Sequence, residues 1–173
     1  IPLHASTQTD NRTVEKVRFL QDVGFTQVVL ARELTLKEIQ QIASETDVAL
    51  EAFVHGALCV SYSGQCYLSA ALSGRSANRG ECAQYCRLPY TMVDANGKVI
   101  ASQKHLLSLR DMNRSDDLEA MMDAGISSFK IEGRLKDVNY VKNVVAAYSR
   151  KLDEIVAANP DKYCRASFGR AIH

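Results

Sequence analysis

Apolar positions along this chain switch between a period of about two and a period near 3.6, which predicts alternating strands and helices. Pro2 to Ala5 reads as the start of a short strand. Residues 10–22 carry Val14, Val17, Phe19 and Leu20 at helical spacing, with Asp10 as the expected cap and Gly24 as the stop. Residues 26–31, TQVVLA, form an apolar strand that ends at Arg32-Glu33. Thr35-Leu36-Lys37-Glu38 has the form of a capping box and predicts a helix over 35–45. Residues 48–54, VALEAFV, are the next strand, and a helical turn or two is expected within 57–72. Leu88 to Asp94 and Lys98 to Ser102 flank Asn96-Gly97, a strong hairpin signal. A helix over 115–123 opened by Ser115 and Asp116, a strand over 127–132 and a helix over 137–158 complete the order.

One pattern occurs twice. Residues 22–30, DVGFTQVVL, and residues 123–131, DAGISSFKI, both read as helix end, glycine and apolar strand, followed by charge. Repeated βα units of this kind build parallel sheets. The expected fold is α/β: a partial TIM-barrel-like (β/α) repeat with an inserted cysteine-rich loop and β-hairpin over 56–102. A complete eight-fold barrel needs roughly 250 residues, so about four such units within 173 residues suit about half of one plus the insertion. An open α/β sheet is the alternative.

Composition narrows the partners. With 21 basic and 20 acidic residues the net charge is +1, which gives no whole-molecule field to draw in nucleic acid or a membrane. A local basic patch remains, because Arg75, Arg79 and Arg87 flank the cysteines. No apolar run is long enough to span a bilayer. The chain opens IPLHASTQ, without a Met or a basic-then-apolar leader, and is expected to be a piece of a longer protein. Its exposed strand edges are expected to favour dimers of the isolated piece.

Candidate chemistry gathers around the third strand. Four of the five cysteines, Cys59, Cys66, Cys82 and Cys86, lie within 28 residues just after His55-Gly56. Clustered thiols in a chain of this size favour metal binding or catalysis over a disulfide framework. Their spacing, C-x6-C-x15-C-x3-C, lacks the C-x2-C pairs of zinc ribbons. Four thiolates suit an iron–sulfur cluster or zinc, and spacing does not choose between them. Buried small hydrophobes or a disulfide pair are the plainer readings; Cys164 reads as a spare thiol. Gly56, Gly64, Gly74 and Gly80 allow tight turns in this segment.

Strand alternation puts Glu51, Phe53 and His55 on one face, and Lys130, Glu132 and Arg134 on another such face. At the C-terminal ends of parallel strands these charges point toward the mouth of a barrel. As a group, Glu51, His55, Lys130, Glu132 and Arg134 are the candidate catalytic residues; simple ion pairing is the plainer reading. Glu51 and His55 are the candidates for proton transfer. Arg75, Arg79, Arg87 and Arg134 are candidates for holding a phosphate or carboxylate. Neither a G-x-S-x-G elbow nor an H-E-x-x-H pair is present, and His4, His55 and His105 are too scattered for a three-histidine zinc site.

The run from Glu51 to Cys59, followed by Ser63-Gly64-Gln65-Cys66-Tyr67-Leu68-Ser69, closely resembles the signature of the collagenase-like peptidase family U-32. Asn78 to Arg87, Ser6-Thr7-Gln8, Leu30 to Leu34 and Lys130 to Arg134 are similar to it too. The resemblance implies a TIM-barrel-like core and a bacterial, cytoplasmic protein. It carries a historical protease label, yet the sequence offers no protease constellation. It also implies a different chemistry: oxygen-independent hydroxylation of RNA bases or ubiquinone precursors by proteins that use a 4Fe–4S cluster, with prephenate as oxygen donor for some. Cys59, Cys66, Cys82 and Cys86 match the cluster-binding cysteines of that motif, Cys86 being the position at which branches differ. Iron–sulfur hydroxylation of RNA is therefore the favoured expectation. A metal-dependent peptidase acting on collagen-like peptides through Glu51 and His55, or a non-catalytic module, are the alternatives.

Overall fold

The computed structural model describes residues 1–164. Strand β1 (His4–Ala5) leads through a short 3-10 turn to helix α1 (Val14–Asp22), and strand β2 (Gln27–Val29) leads to α2 (Leu36–Glu45). Strand β3 (Ala49–Gly56) is followed by the cysteine segment, which holds α3 (Leu68–Ser73) and two 3-10 turns. The hairpin β4 (Tyr90–Val93) and β5 (Val99–Lys104) comes next, then β6 (Met112–Asn113), α4 (Leu118–Asp123), β7 (Ile126–Glu132) and α5 (Val138–Ala158).

β3 is the hub of the sheet. β1 pairs with β2, β2 with β3 and β3 with β7, all parallel, while β6 adds antiparallel at His55 and Gly56. The fold is thus α/β with a parallel sheet, and the described strands do not close into a barrel. The hairpin forms its own two-stranded sheet.

Leu50, Ala52 and Val54 alternate onto the buried face of β3. There they join Val28 and Leu30, Ile126, and the helical residues Val17, Leu20, Ile39, Ile42, Leu118, Met121 and Tyr148 in one core. Thr35 and Glu38 form the full capping box at the start of α2. Asp137 caps α5 by accepting from the Tyr140 amide.

Local expectations differ in several places. The cap of α1 is Thr13, whose hydroxyl accepts from the Lys16 amide. Asp10 stands in a left-handed turn, where it pairs with Arg12 at 2.5 Å. Phe19 is 58% exposed, because it lies off the stripe formed by Val14, Val17 and Leu20. The helix expected from 115 begins as a 3-10 turn, and neither Ser115 nor Asp116 is the cap of α4.

Polar contacts fasten the cysteine segment across the sheet ends. The Ser63 hydroxyl receives hydrogen bonds from Thr7 Oγ1 at 3.2 Å and the Arg32 amide at 3.3 Å, and the Ser63 amide donates to Glu33 at 2.7 Å. At Gly64 (φ +72°) the chain passes so close to the first turn that a Cβ would lie 2.5 Å from the Gln8 carbonyl oxygen. Glycine meets both demands, positive φ and close approach.

Candidate functional site

Two cavities meet at the cysteines. One, of about 300 Å³, is lined by all four clustered cysteines together with Tyr62, Tyr67, Leu68 and Tyr85. The other, of about 270 Å³, is lined by Cys59, Cys82 and Cys86 and by the charged residues Arg32, Arg87, Lys130, Glu132 and Arg134. Cys59, Cys82 and Cys86 border both. All five cysteines are free thiols, and the four clustered ones are partly buried, so neither a disulfide nor fully buried packing describes them. Cys164 lies in a separate groove beside Tyr163.

Local contacts fold the segment around these cavities. The Cys66 amide donates to the Asn78 side chain at 3.1 Å, and the Ala83 amide to the buried Ser69 hydroxyl at 3.0 Å. Arg87 braces the wall by donating to the Leu58 carbonyl at 2.7 Å. Burial raises the Cys86 thiol pKa; Arg87 opposes the shift, and Cys59, Cys82 and Cys66 add smaller upward pushes. The other three thiols therefore lie within electrostatic reach of Cys86. Among the described residues, however, no group of three or more His, Cys, Asp or Glu side chains is placed to hold a single metal ion.

Lys130, Glu132 and Arg134 come together on the cationic cavity. A Glu132 carboxylate oxygen accepts from the Arg134 amide at 3.0 Å. With the Gln84 amide oriented to satisfy both groups, its oxygen accepts from Arg134 Nε and a terminal guanidinium nitrogen at 2.6 Å each. Glu51 touches this group only through Lys130, at 3.5 Å. Its carboxylate is 15% exposed and also accepts from Gln27 at 2.5 Å and Ser128 at 2.8 Å. The plainer ion-pair reading thus describes Glu51 well.

His55 leaves the group. The β3–β7 register shifts between Phe53 and His55, which breaks the alternation used to place His55 beside Glu51. Its Nε2 lies 3.0 Å from the Tyr140 hydroxyl and its Nδ1 3.3 Å from that of Tyr148, both on α5. Tyr140 in turn donates to Asp111, which pairs with Lys136 at 2.5 Å.

Arg32 and Phe53 were missed as site residues by sequence reasoning. The Arg32 guanidinium lies 5.1 Å and Lys130 Nζ 5.3 Å from the Phe53 ring centroid. The available signal for Arg32 was its place at the C-terminal end of an apolar strand. Gln84 sits at φ +58° in an irregular stretch and gave none.

An α/β chain with a parallel sheet, whose strand ends carry a thiol-lined cavity beside a cationic one, defines the class. The chain belongs to Peptidase family U32, whose sequence profile it matches over residues 1–172. It is 59% identical over its whole length to the 23S rRNA 5-hydroxycytidine C2501 synthase of Escherichia coli, covering 26% of that protein. It is 35% identical to tRNA hydroxylation protein P1 of Bacillus subtilis, with 94% of this chain and 40% of that protein matched. A protein named collagenase from Porphyromonas gingivalis is 36% identical, with 88% of this chain and 40% of that protein matched. The chain thus spans between about a quarter and two fifths of these relatives' lengths. No solved structure matches it. Among the described residues no helix is long and apolar enough to cross a membrane.

Proposed function

We propose that this chain is the thiol-bearing part of a cytoplasmic enzyme that hydroxylates a base in RNA, with an iron–sulfur cluster held by Cys59, Cys66, Cys82 and Cys86. The observation that carries the proposal is the thiol-lined cavity opening onto a cationic one, in a chain 59% identical to an rRNA hydroxycytidine synthase. Four soft thiol donors around a 300 Å³ space fit a polynuclear iron–sulfur centre. Zinc, which four thiolates also bind, is the alternative, and metal analysis of the whole protein separates the two.

When bound, the cluster supplies electron-transfer chemistry beside the cationic cavity. Lys130 and Arg134 orient the substrate there, and Glu132, the carboxylate on that wall, takes the proton-transfer role that the sequence assigned to Glu51 or His55. The oxygen donor is an anion such as prephenate. The open parallel sheet is the contribution of about half a barrel, completed by the rest of the longer protein.

The test is anaerobic purification of the whole protein with iron and sulfide analysis, followed by mass spectrometry of RNA from cells making it or its Cys82→Ser variant. Iron-loaded protein and a cysteine-dependent gain of one oxygen on an RNA base are expected. Iron-free protein after anaerobic reconstitution, with all four cysteines intact, would overturn the proposal. For a peptidase, Glu51 and His55 would have to share a metal, and their side chains engage different partners.

A further inference from the structure

We infer that Arg32, Lys130 and Arg134 form an oxyanion seat, a subsite that holds a carboxylate or phosphate group against the cysteine wall. The inference rests on the proposed enzyme for its biological ligand, and on charge and geometry for its existence. Among the described residues, four cations line the cavity and Glu132 is the one lining carboxylate. Among the described residues, Arg32, Arg87 and Arg134 make no ion pair, while Lys130 shares Glu51 at 3.5 Å. Four cations against one lining carboxylate leave an excess of positive charge in a half-enclosed space, and an entering anion relieves the repulsion among them.

The cations are held in position rather than left free. Phe53 carries both Arg32 and Lys130 on its ring, at 5.1 and 5.3 Å. Arg32 is steadied further by Ser63 Oγ at 3.4 Å, and Arg134 by the Gln84 amide at 2.6 Å. A pre-positioned guanidinium loses little freedom on gripping an oxyanion and offers two parallel donors to it. Arg87 is already committed to the Leu58 carbonyl, so its part is structural. Of the arginines singled out by sequence alone, Arg87 and Arg134 line the cavity and Arg75 and Arg79 do not, whereas Arg32, in the turn after β2, lines it without having been singled out.

Two sources offer the same chemistry: a free carboxylate and the phosphate backbone of RNA. Titration calorimetry on the whole protein, with malonate, inorganic phosphate and a short single-stranded RNA as separate probes, distinguishes them. The variants are Arg32→Gln and Arg134→Gln, with Arg134→Lys as a folded control that keeps the charge and loses the fork. Loss of one charged hydrogen-bonding pair costs about tenfold in affinity. Malonate or phosphate weakened about tenfold by either Gln variant, with the Lys variant between, supports a seat for a free anion. Weakening of RNA alone supports a phosphate seat on the polymer. No binding of any probe, or binding unchanged in both Gln variants at unchanged melting temperature, overturns the inference. Binding needs no turnover, so arginine-dependent anion binding by iron-free protein would leave the seat standing while the proposed enzyme failed. Iron-loaded protein that hydroxylates RNA without such binding would do the reverse.

Discussion

A methyl group at Gly56 tests how the strand ends are assembled. Gly56 closes β3 at φ +104°, opposite Glu132 in the parallel pairing with β7. A Cβ there would overlap the Glu132 carbonyl oxygen and lie 2.9 Å from its carbon, both backbone atoms that cannot turn aside. Gly24 supplies the control, since its φ is +99° and nothing lies within 4 Å of a Cβ built on it. Holding alanine at such a φ costs about 1–3 kcal/mol at either site. Overlap with packed backbone adds about 1–3 kcal/mol at Gly56 alone. The Gly56→Ala variant should therefore be less stable than Gly24→Ala by that increment, and should melt roughly 2–12 °C lower for a chain of this size. Urea unfolding followed by far-UV circular dichroism measures it, and the chain has no tryptophan to report instead. Equal stability of the two variants would refute the close β3–β7 approach that brings Glu132 to the cysteine side.

Asp111 and Lys136 should make stability depend on pH at both ends of the scale. A hydrogen bond from Lys136 lowers the Asp111 pKa, and the same bond raises that of Lys136. The Asp111 contribution is present above its unfolded pKa of about 3.9 and is lost as pH falls through the lowered folded value. The Lys136 contribution is present below its unfolded pKa of about 10.4 and is lost as pH rises through the raised folded value. Both side chains are about a third exposed, so Lys136→Met should cost less than about 1 kcal/mol at neutral pH and flatten both limbs; urea midpoints across pH would show it, and unchanged limbs would contradict it. Tyr148→Phe should cost about 1–3 kcal/mol. The buried hydroxyl lies 2.8 Å from the Val54 carbonyl, which it donates to, and 3.3 Å from His55 Nδ1. The urea midpoint should fall accordingly, and a variant as stable as the parent would exclude this role.

The order of elements along the chain was legible because its signals are local. The capping box at Thr35–Glu38, the hairpin turn at Asn96-Gly97, and the repeated glycine-to-strand pattern each need only a few neighbouring residues, and each appears in the structure. The site was legible in part. Lys130 and Glu132 follow strand alternation to one cavity, Arg134 reaches it from the turn after β7, and the cysteines reach a common wall. His55 did not follow, because the register shift in β3 depends on how β7 packs beside it.

By itself, then, the sequence determined where helices begin, where strands run and which residues carry sulfur and charge, since these depend on side-chain chemistry and on spacing along the chain. Only the tertiary structure decided that Arg32 shares a phenyl ring with Lys130 across β2, β3 and β7, that His55 turns to the tyrosines of α5, and that Glu51 stands behind Lys130. Those outcomes join residues far apart in the chain. They are set by strand register and close packing, which no local pattern encodes.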